Sequence, residues 1–318
     1  MKKKLKVLLF NFNNILTDVQ DGLIQRGHQI VPHYGPNLKL SDWRQADVII
    51  VWQETDLGQW RDWIKEVQKE GKKVILVQHG RRGTSRIFPP FNEKLVSDIV
   101  CVWGENDVER LTSCGVSREK IKVTGTTIFK HLKPRVPHDG HNIIFSPEHW
   151  DYDVSENAVV MGWLNRIKIK GIKVISKLLE GEHNPHHYLN PVVSNRNKPE
   201  HLSICADVLS LADAVVAISE STFELLAQSL DIPVIIADIW QPKSCAGDDR
   251  YKEYQREYSP ACTKVKTQKE LENTLLRQLD YPVLSQERKE IVIKDGGRNI
   301  EDPLSEIIKV IENEGNRR

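Results

Sequence analysis

The sequence predicts an α/β protein built from two doubly wound domains, and three observations predict it. Short apolar runs alternate with helical patterns along nearly the whole chain, which implies parallel strands joined by right-handed crossovers. One segment, 130–142 (KHLKPRVPHDGHN), breaks that alternation with two prolines, a glycine and no apolar periodicity, and the scheme restarts beyond it. The 318 residues leave room for two domains of ordinary size, each able to bury a core. We place them at 1–133 and 134–318, with the last helix able to pack back on the N-terminal domain.

In the first domain Leu5 to Phe10 reads as a strand, Asn14 to Arg26 as a helix and Gln29 to Val31 as the next strand. Asp47 to Trp52 is a strand, and the helix from Leu57 to Glu70 ends at Gly71, where a C′ glycine closes the last turn. Within that helix Trp60, Trp63, Ile64 and Val67 recur at helical spacing and mark a core face. Lys73 to Val77 and Ile99 to Val102 are strands, Asn106 to Ser113 a helix with Gly115 beyond it, and Ile121 to Val123 a closing strand.

The second domain begins with a strand from Asn142 to Ser146 and a helix near Glu156 to Lys168. Strands at Ile172 to Lys177 and Val192 to Ser194 follow, then a helix from Leu202 to Leu211. Ala212 to Asp238 (ADAVVAISESTFELLAQSLDIPVIIAD) is strand, polar turn, helix, and a second strand led in by Pro233. Helices at Gln268 to Leu279 and Asp302 to Asn313 end the chain, and Trp240 to Tyr258 reads as a polar, irregular loop.

Composition narrows the function classes. A net charge of +1, from 45 basic and 44 acidic residues, offers no general attraction to nucleic acid or anionic membrane. The apolar run Val7 to Phe10 after the N-terminal lysines is too short for a signal peptide or a membrane span. The five cysteines are scattered without a CxxC pair, which suits reduced thiols in a cytoplasmic protein.

The junction at Ser219 to Glu224 is the most informative stretch. In open parallel sheets ligands sit at the carboxyl ends of strands. A helix starting there presents unpaired N–H groups and a positive dipole end, which suit an anion. Ser221 and Glu224 share a helix face, and a hydroxyl with a carboxylate beside an anion site suits a diphosphate and the hydroxyls of a ribose. The same Ser-x-x-Glu spacing is also a capping box. Both readings stay open.

Several segments carry a family likeness. Asp98 to Leu132 (DIVCVWGENDVERLTSCGVSREKIKVTGTTIFKHL), with Gly104, Gly115-Val116, Lys120-Ile121 and Val123-Thr124-Gly125, resembles the end of the N-terminal domain in nucleotide-sugar enzymes of the glycosyltransferase B fold. UDP-N-acetylglucosamine 2-epimerases and CDP-glycerol glycerophosphotransferases have related segments. The Ser-x-x-Glu helix start with Pro233-Val234-Ile235, and the segment Ile143 to Asn157, are similar to the family's second domain. The resemblance implies two Rossmann-like domains with a cleft between them. It implies that Ser219, Ser221, Thr222 and Glu224 hold the nucleotide of a UDP-linked donor, with Pro147 and His149 lining the site. It also implies chemistry without a metal and no cofactor besides the donor.

Gln78-His79-Gly80 follows a strand, so His79 is the candidate general base that takes the acceptor's proton. A histidine hydrogen-bonded in a turn is the plainer alternative. Arg81, Arg82 and Arg86 form a basic loop suited to phosphate, and Asn13 sits after the first strand; these four are the candidate acceptor or phosphate contacts. If His79 is not the base, Glu54, Asp18 and Glu148 are the carboxylates to consider. Glu182, His183, His186 and His187 fall in a proline-containing loop and form no metal motif.

The expected function is a metal-independent glycosyltransferase acting on a hydroxyl acceptor of unspecified class, as a monomer or homodimer. Arg81 stands where the epimerases carry a glutamate and where the glycerophosphotransferases carry threonine, so neither pattern is complete. An epimerase-like or glycerophosphotransferase-like enzyme and a non-catalytic nucleotide-sugar-binding protein remain the alternatives.

Overall fold

Apolar runs rich in Val and Ile form parallel strands buried on both faces, as such runs must when helices cover a sheet on each side. The computed structural model describes residues 3–10, 16–33, 41–52, 54, 59–80, 95–147, 154–181, 184–195, 198, 200–239, 259–280 and 283–316. The first sheet contains β1 (Lys6–Phe10), β2 (Gln29–His33), β3 (Val48–Val51), β4 (Lys73–Val77), β5 (Ile99–Val102) and β6 (Ile121–Val123). Its order is β2-β1-β3-β4-β5-β6. Helices α1 (Thr17–Gln25), α2 (Gln59–Lys69) and α3 (Glu105–Ser113) connect these strands.

The second sheet contains β7 (His141–Ser146), β8 (Ile172–Leu179), β9 (Pro191–Ser194), β10 (Ala214–Ala217), β11 (Val234–Ala237) and β12 (Cys262–Val265). Its order is β12-β11-β10-β7-β8-β9. Every described pairing in both sheets is parallel. Helices α4 (Val154–Asn165), α5 (His201–Ser210), α6 (Thr222–Ser229) and α7 (Gln268–Asp280) belong to this half, followed by α8 (Ser285–Gly296) and α9 (Pro303–Asn316).

Two compact units result: residues 1–127 with 293–318, and residues 128–292. In the first unit one sheet face packs Leu8, Ile49, Leu76 and Val100 against Trp63, Ile64 and Val67 of α2. The opposite face packs Val7, Leu9, Ile50 and Ile75 against Val19 and Leu23 of α1 and Ile307, Ile308 and Ile311 of α9. The glycine at 104 has a packing cause: a Cβ there would lie 1.9 Å from the carbonyl oxygen of Lys294. Gly115 takes the left-handed conformation (φ 83°) that ends α3. In the second unit the segment before β7 is pinned rather than loose, with Arg135 Nη2 2.5 Å and Asn142 N 2.8 Å from the Asp213 carboxylate.

Two elements escaped the periodicity. The strand β12 buries only Cys262 and Val265 of its four residues, with half-buried Thr263 and exposed Lys264 between them at a sheet edge, too little apolar sequence to register. The helix α8 buries only Ile291 and Val292 as apolar anchors and adds polar contacts to them. Arg288 is buried and its Nε lies 2.7 Å from Asp231 Oδ1, while Ser285 Oγ donates to Asp231 Oδ2 at 2.8 Å.

Cys101, Cys114, Cys205 and Cys262 are free thiols, and burial pushes Cys101 up to about 12, which keeps it unreactive. Among the described residues no helix is long and apolar enough to cross a membrane.

Candidate functional site

In the second sheet the strand order reverses between β7 and β10: β8 and β9 extend one way, β11 and β12 the other. A crevice opens at the carboxyl ends of two strands whose connections leave in opposite directions. Ala217 pairs with Ser146, so Pro147 and Ile218 leave the sheet side by side. Pro147 is buried, and Ser219, Ser221 and Thr222 are half-buried around the turn into α6. His149 lies outside the described residues.

The capping box is formed. Ser221 Oγ accepts from Phe223 N at 3.2 Å, and Glu224 Oε2 accepts from Ser221 N at 2.7 Å and from Ser221 Oγ at 2.5 Å. Glu224 is 1% exposed, and its other oxygen, Oε1, is buried with no hydrogen-bond partner among the described residues. Burial pushes the carboxyl above the ordinary range, while the hydroxyls of Ser221 and Ser146 and the backbone N–H groups of Glu224 and Ser221 pull the other way. The box therefore explains one oxygen of Glu224 and leaves the other unexplained.

Sequence reasoning missed the residues that brace this turn. Glu220 Oε2 accepts from Ser259 N at 2.6 Å, and Glu220 Oε1 accepts from the Cys262 thiol at 2.9 Å, tying the turn to the start of β12. Lys177 of β8 places its Nζ 5.4 Å from the centroid of the Phe223 ring. A lysine near a strand's carboxyl end was the available signal for that residue. Nothing local points to Glu220, because its partners lie about 40 residues away.

In the first unit His79 stands at the carboxyl end of β4. Its Nδ1 lies 2.9 Å from the Trp52 carbonyl oxygen, and its ring meets Trp52 edge to face at 4.7 Å. A carbonyl can only accept, so Nδ1 carries the proton and the lone pair of the neutral ring is on Nε2. Gln78 fixes the turn around it. Its Nε2 donates to Gly80 O at 3.0 Å and to Asp107 Oδ2 at 2.8 Å, while its Oε1 accepts from Trp103 N at 2.8 Å.

Glu54 is corrected as a candidate base. It is fully buried, and it accepts from Val96 N at 2.6 Å, Ser97 N at 3.1 Å and Ser97 Oγ at 2.7 Å. It anchors the approach to β5. Asn13, Arg81, Arg82, Arg86 and Glu148 lie outside the described residues. Among the described residues no group of three or more His, Cys, Asp or Glu is arranged to hold a metal ion.

No family model matches the chain, and no curated protein matches it by sequence. Solved structures match it over nearly its full length. The S. aureus MnaA–UDP structure is 12% identical with a TM-score of 0.60, covering 98% of this chain and 96% of that one. Anabaena HepE in complex with UDP and glucose is 9% identical with a TM-score of 0.54, covering 98% and 100%. The wall teichoic acid polymerase TagF is 12% identical with a TM-score of 0.57, covering 98% and 88%. The calicheamicin glycosyltransferase CalG4 matches at a TM-score of 0.58 and 9% identity, covering 99% of each chain. With its two six-stranded parallel sheets, the chain has the two-domain, Rossmann-like fold of the B-type glycosyltransferases.

Proposed function

We propose that this protein is a metal-independent glycosyltransferase that passes a sugar from a UDP-linked donor to a hydroxyl acceptor. Glu224 carries the reading: a buried carboxylate at the switch point, in the first turn of a helix, with one oxygen in the box and one without a partner among the described residues. A buried acceptor left unmet costs about 1–3 kcal/mol, and a ribose hydroxyl would satisfy it. The start of α6 beside it suits the diphosphate. Two of the solved neighbours sharing the fold are complexes with UDP, which supports the same class of ligand here.

Ser219, Ser221, Thr222 and Pro147 then line the nucleotide, joined by His149. The acceptor hydroxyl gives its proton to Nε2 of His79, and Asn13, Arg81, Arg82 and Arg86 are assigned to acceptor or phosphate contact. Helix dipoles and backbone N–H groups stabilise the departing diphosphate, so turnover does not require a divalent ion. We place the protein in the cytoplasm, in keeping with its free thiols.

Incubation with labelled nucleotide sugars, with and without hydroxyl acceptors, tests the reading. Release of UDP that depends on an acceptor supports it. Change of the donor alone points to epimerase-like chemistry, transfer from a CDP-polyol to a glycerophosphotransferase, and binding without turnover to a non-catalytic protein. Turnover is expected to survive EDTA. Loss restored by manganese or magnesium would overturn metal independence.

A further inference from the structure

We propose that Lys177 is the cationic arm of this site, contacting the donor's diphosphate at the start of α6 and neutralising the charge it gains on leaving. The proposal rests on the nucleotide-sugar reading above.

The sheet register sets the position. Phe145 pairs with Ser176, so Lys177 falls in the next row, alongside Ser146. Neighbouring strands are about 4.8 Å apart and one row of a parallel sheet projects to one face, so Lys177 and Ser146 emerge together. The α6 helix lies on that face. The Lys177 ammonium lies over the ring of Phe223, the second residue of α6.

Fold stability does not explain a lysine here. The rest of β8's inner half, Val174 to Ser176 and Leu178 to Leu179, is buried, while Lys177 is half-buried. Among the described residues no carboxylate lies within ion-pair distance of its ammonium. An aromatic face is worth only about 0.5–1 kcal/mol to a cation at exposed sites. Cations favour helix C-termini, and this one stands at an N-terminus, where the helix presents its own positive end. Two positive potentials converge at the start of the helix that carries Glu224, whose Oε1 has no hydrogen-bond partner among the described residues. An anion carrying hydroxyl groups resolves both features at once, and a nucleoside diphosphate is such a molecule.

In the transfer, the bond between the anomeric carbon and the β-phosphate oxygen breaks and its electron pair stays on the diphosphate. The acceptor oxygen bonds to that carbon, and its proton goes to the general base. The diphosphate gains one negative charge, which Lys177 and the α6 dipole stabilise.

Titration calorimetry of UDP and of uridine against the wild type, Lys177→Met and Lys177→Arg tests this. Methionine keeps an aliphatic stem over Phe223 and removes the charge. The expected result is UDP affinity lowered roughly 10- to 100-fold in Lys177→Met. Uridine affinity should be unchanged, the salt dependence of UDP binding weakened, and most of the loss recovered in Lys177→Arg. Lys177→Gln gives the same test if the methionine variant melts early. UDP binding within about twofold of wild type would overturn the role of Lys177 and leave the nucleotide site standing. Equal losses for UDP and uridine would make the residue a packing element and also overturn it. A wild type that binds neither would bring down both the proposal and the reading beneath it.

Discussion

The carboxyl ends of β4 and β10 bring polar residues to comparable places and treat them differently. At β4, both polar side-chain atoms of Gln78 are engaged by its own chain, and the Trp52 carbonyl fixes the tautomer of His79. At β10, Glu224 keeps one oxygen in the capping box and holds the other buried without a partner among the described residues. Lys177 stands at a positive helix end with no carboxylate in reach among the described residues. Internal hydrogen bonds at the first end pre-organise one ring. Unmet capacity at the second end is what the nucleotide proposal rests on. The lesson is that a polar strand end becomes informative once its protein partners are subtracted.

The largest expected effect breaks the comparison at the β4 end. His79→Ala should lower turnover roughly 10²–10⁴-fold, the range for loss of a general base. UDP affinity, measured by calorimetry, should hardly change. Near-normal turnover would reduce the β4 end to a well-built turn, and the base would have to be sought elsewhere.

A smaller effect sharpens the β10 end. Glu224→Gln should weaken UDP binding about tenfold, the scale of one hydrogen bond to a charged group. Its melting temperature should hold, because the amide oxygen can still accept from Ser221 N–H in the box. Lost stability with intact binding would make the residue a cap and nothing more.

The pH dependence follows from the same group. Burial raises the folded-state pKa of Glu224 above its unfolded value. Its stability contribution is therefore greatest below the unfolded value and is lost as pH rises through the folded one. A hydroxyl donated to Oε1 favours the charged form and lowers the pKa in the complex. UDP affinity should rise with pH between the bound and free values, and that component should vanish in Glu224→Gln. An identical pH profile in the two proteins would remove Glu224 from the site.

The smallest effect is Ser221→Ala, which removes the cap and should cost about 1 kcal/mol in urea unfolding. If it leaves stability untouched, the hydroxyl half of the box contributes nothing, and only the bond from the residue 221 N–H to Glu224 Oε2 remains of it.

Much of this fold was legible because buried parallel strands advertise themselves. The β4, β5 and β6 strands fall on the stretches that apolar runs mark, and Gly71 and Gly115 take the left-handed turns their positions imply. The Ser221–Glu224 spacing was legible as a capping box, and the box is present. What stayed hidden depends on partners distant in sequence. Glu54 was one of three fallback carboxylates for the base, but its hydrogen bonds come from Val96 and Ser97. The α8 helix is fixed by the Arg288–Asp231 pair, which no periodicity reports. Lys177 gained meaning only when the register set it beside Ser146 and α6.

The seat of α9 bears on the order in which this chain can mature. Ile307, Ile308 and Ile311 complete one face of the first sheet, yet a ribosome makes them after everything else in that unit. The second unit, a continuous stretch from 128 to 292, can close as soon as it is synthesised. The part made first is thus finished last. Until α9 arrives, Val7, Leu9, Ile50 and Ile75 lack part of their cover. Nascent chains stalled before residue 303 would present that greasy sheet to chaperones, or to one another.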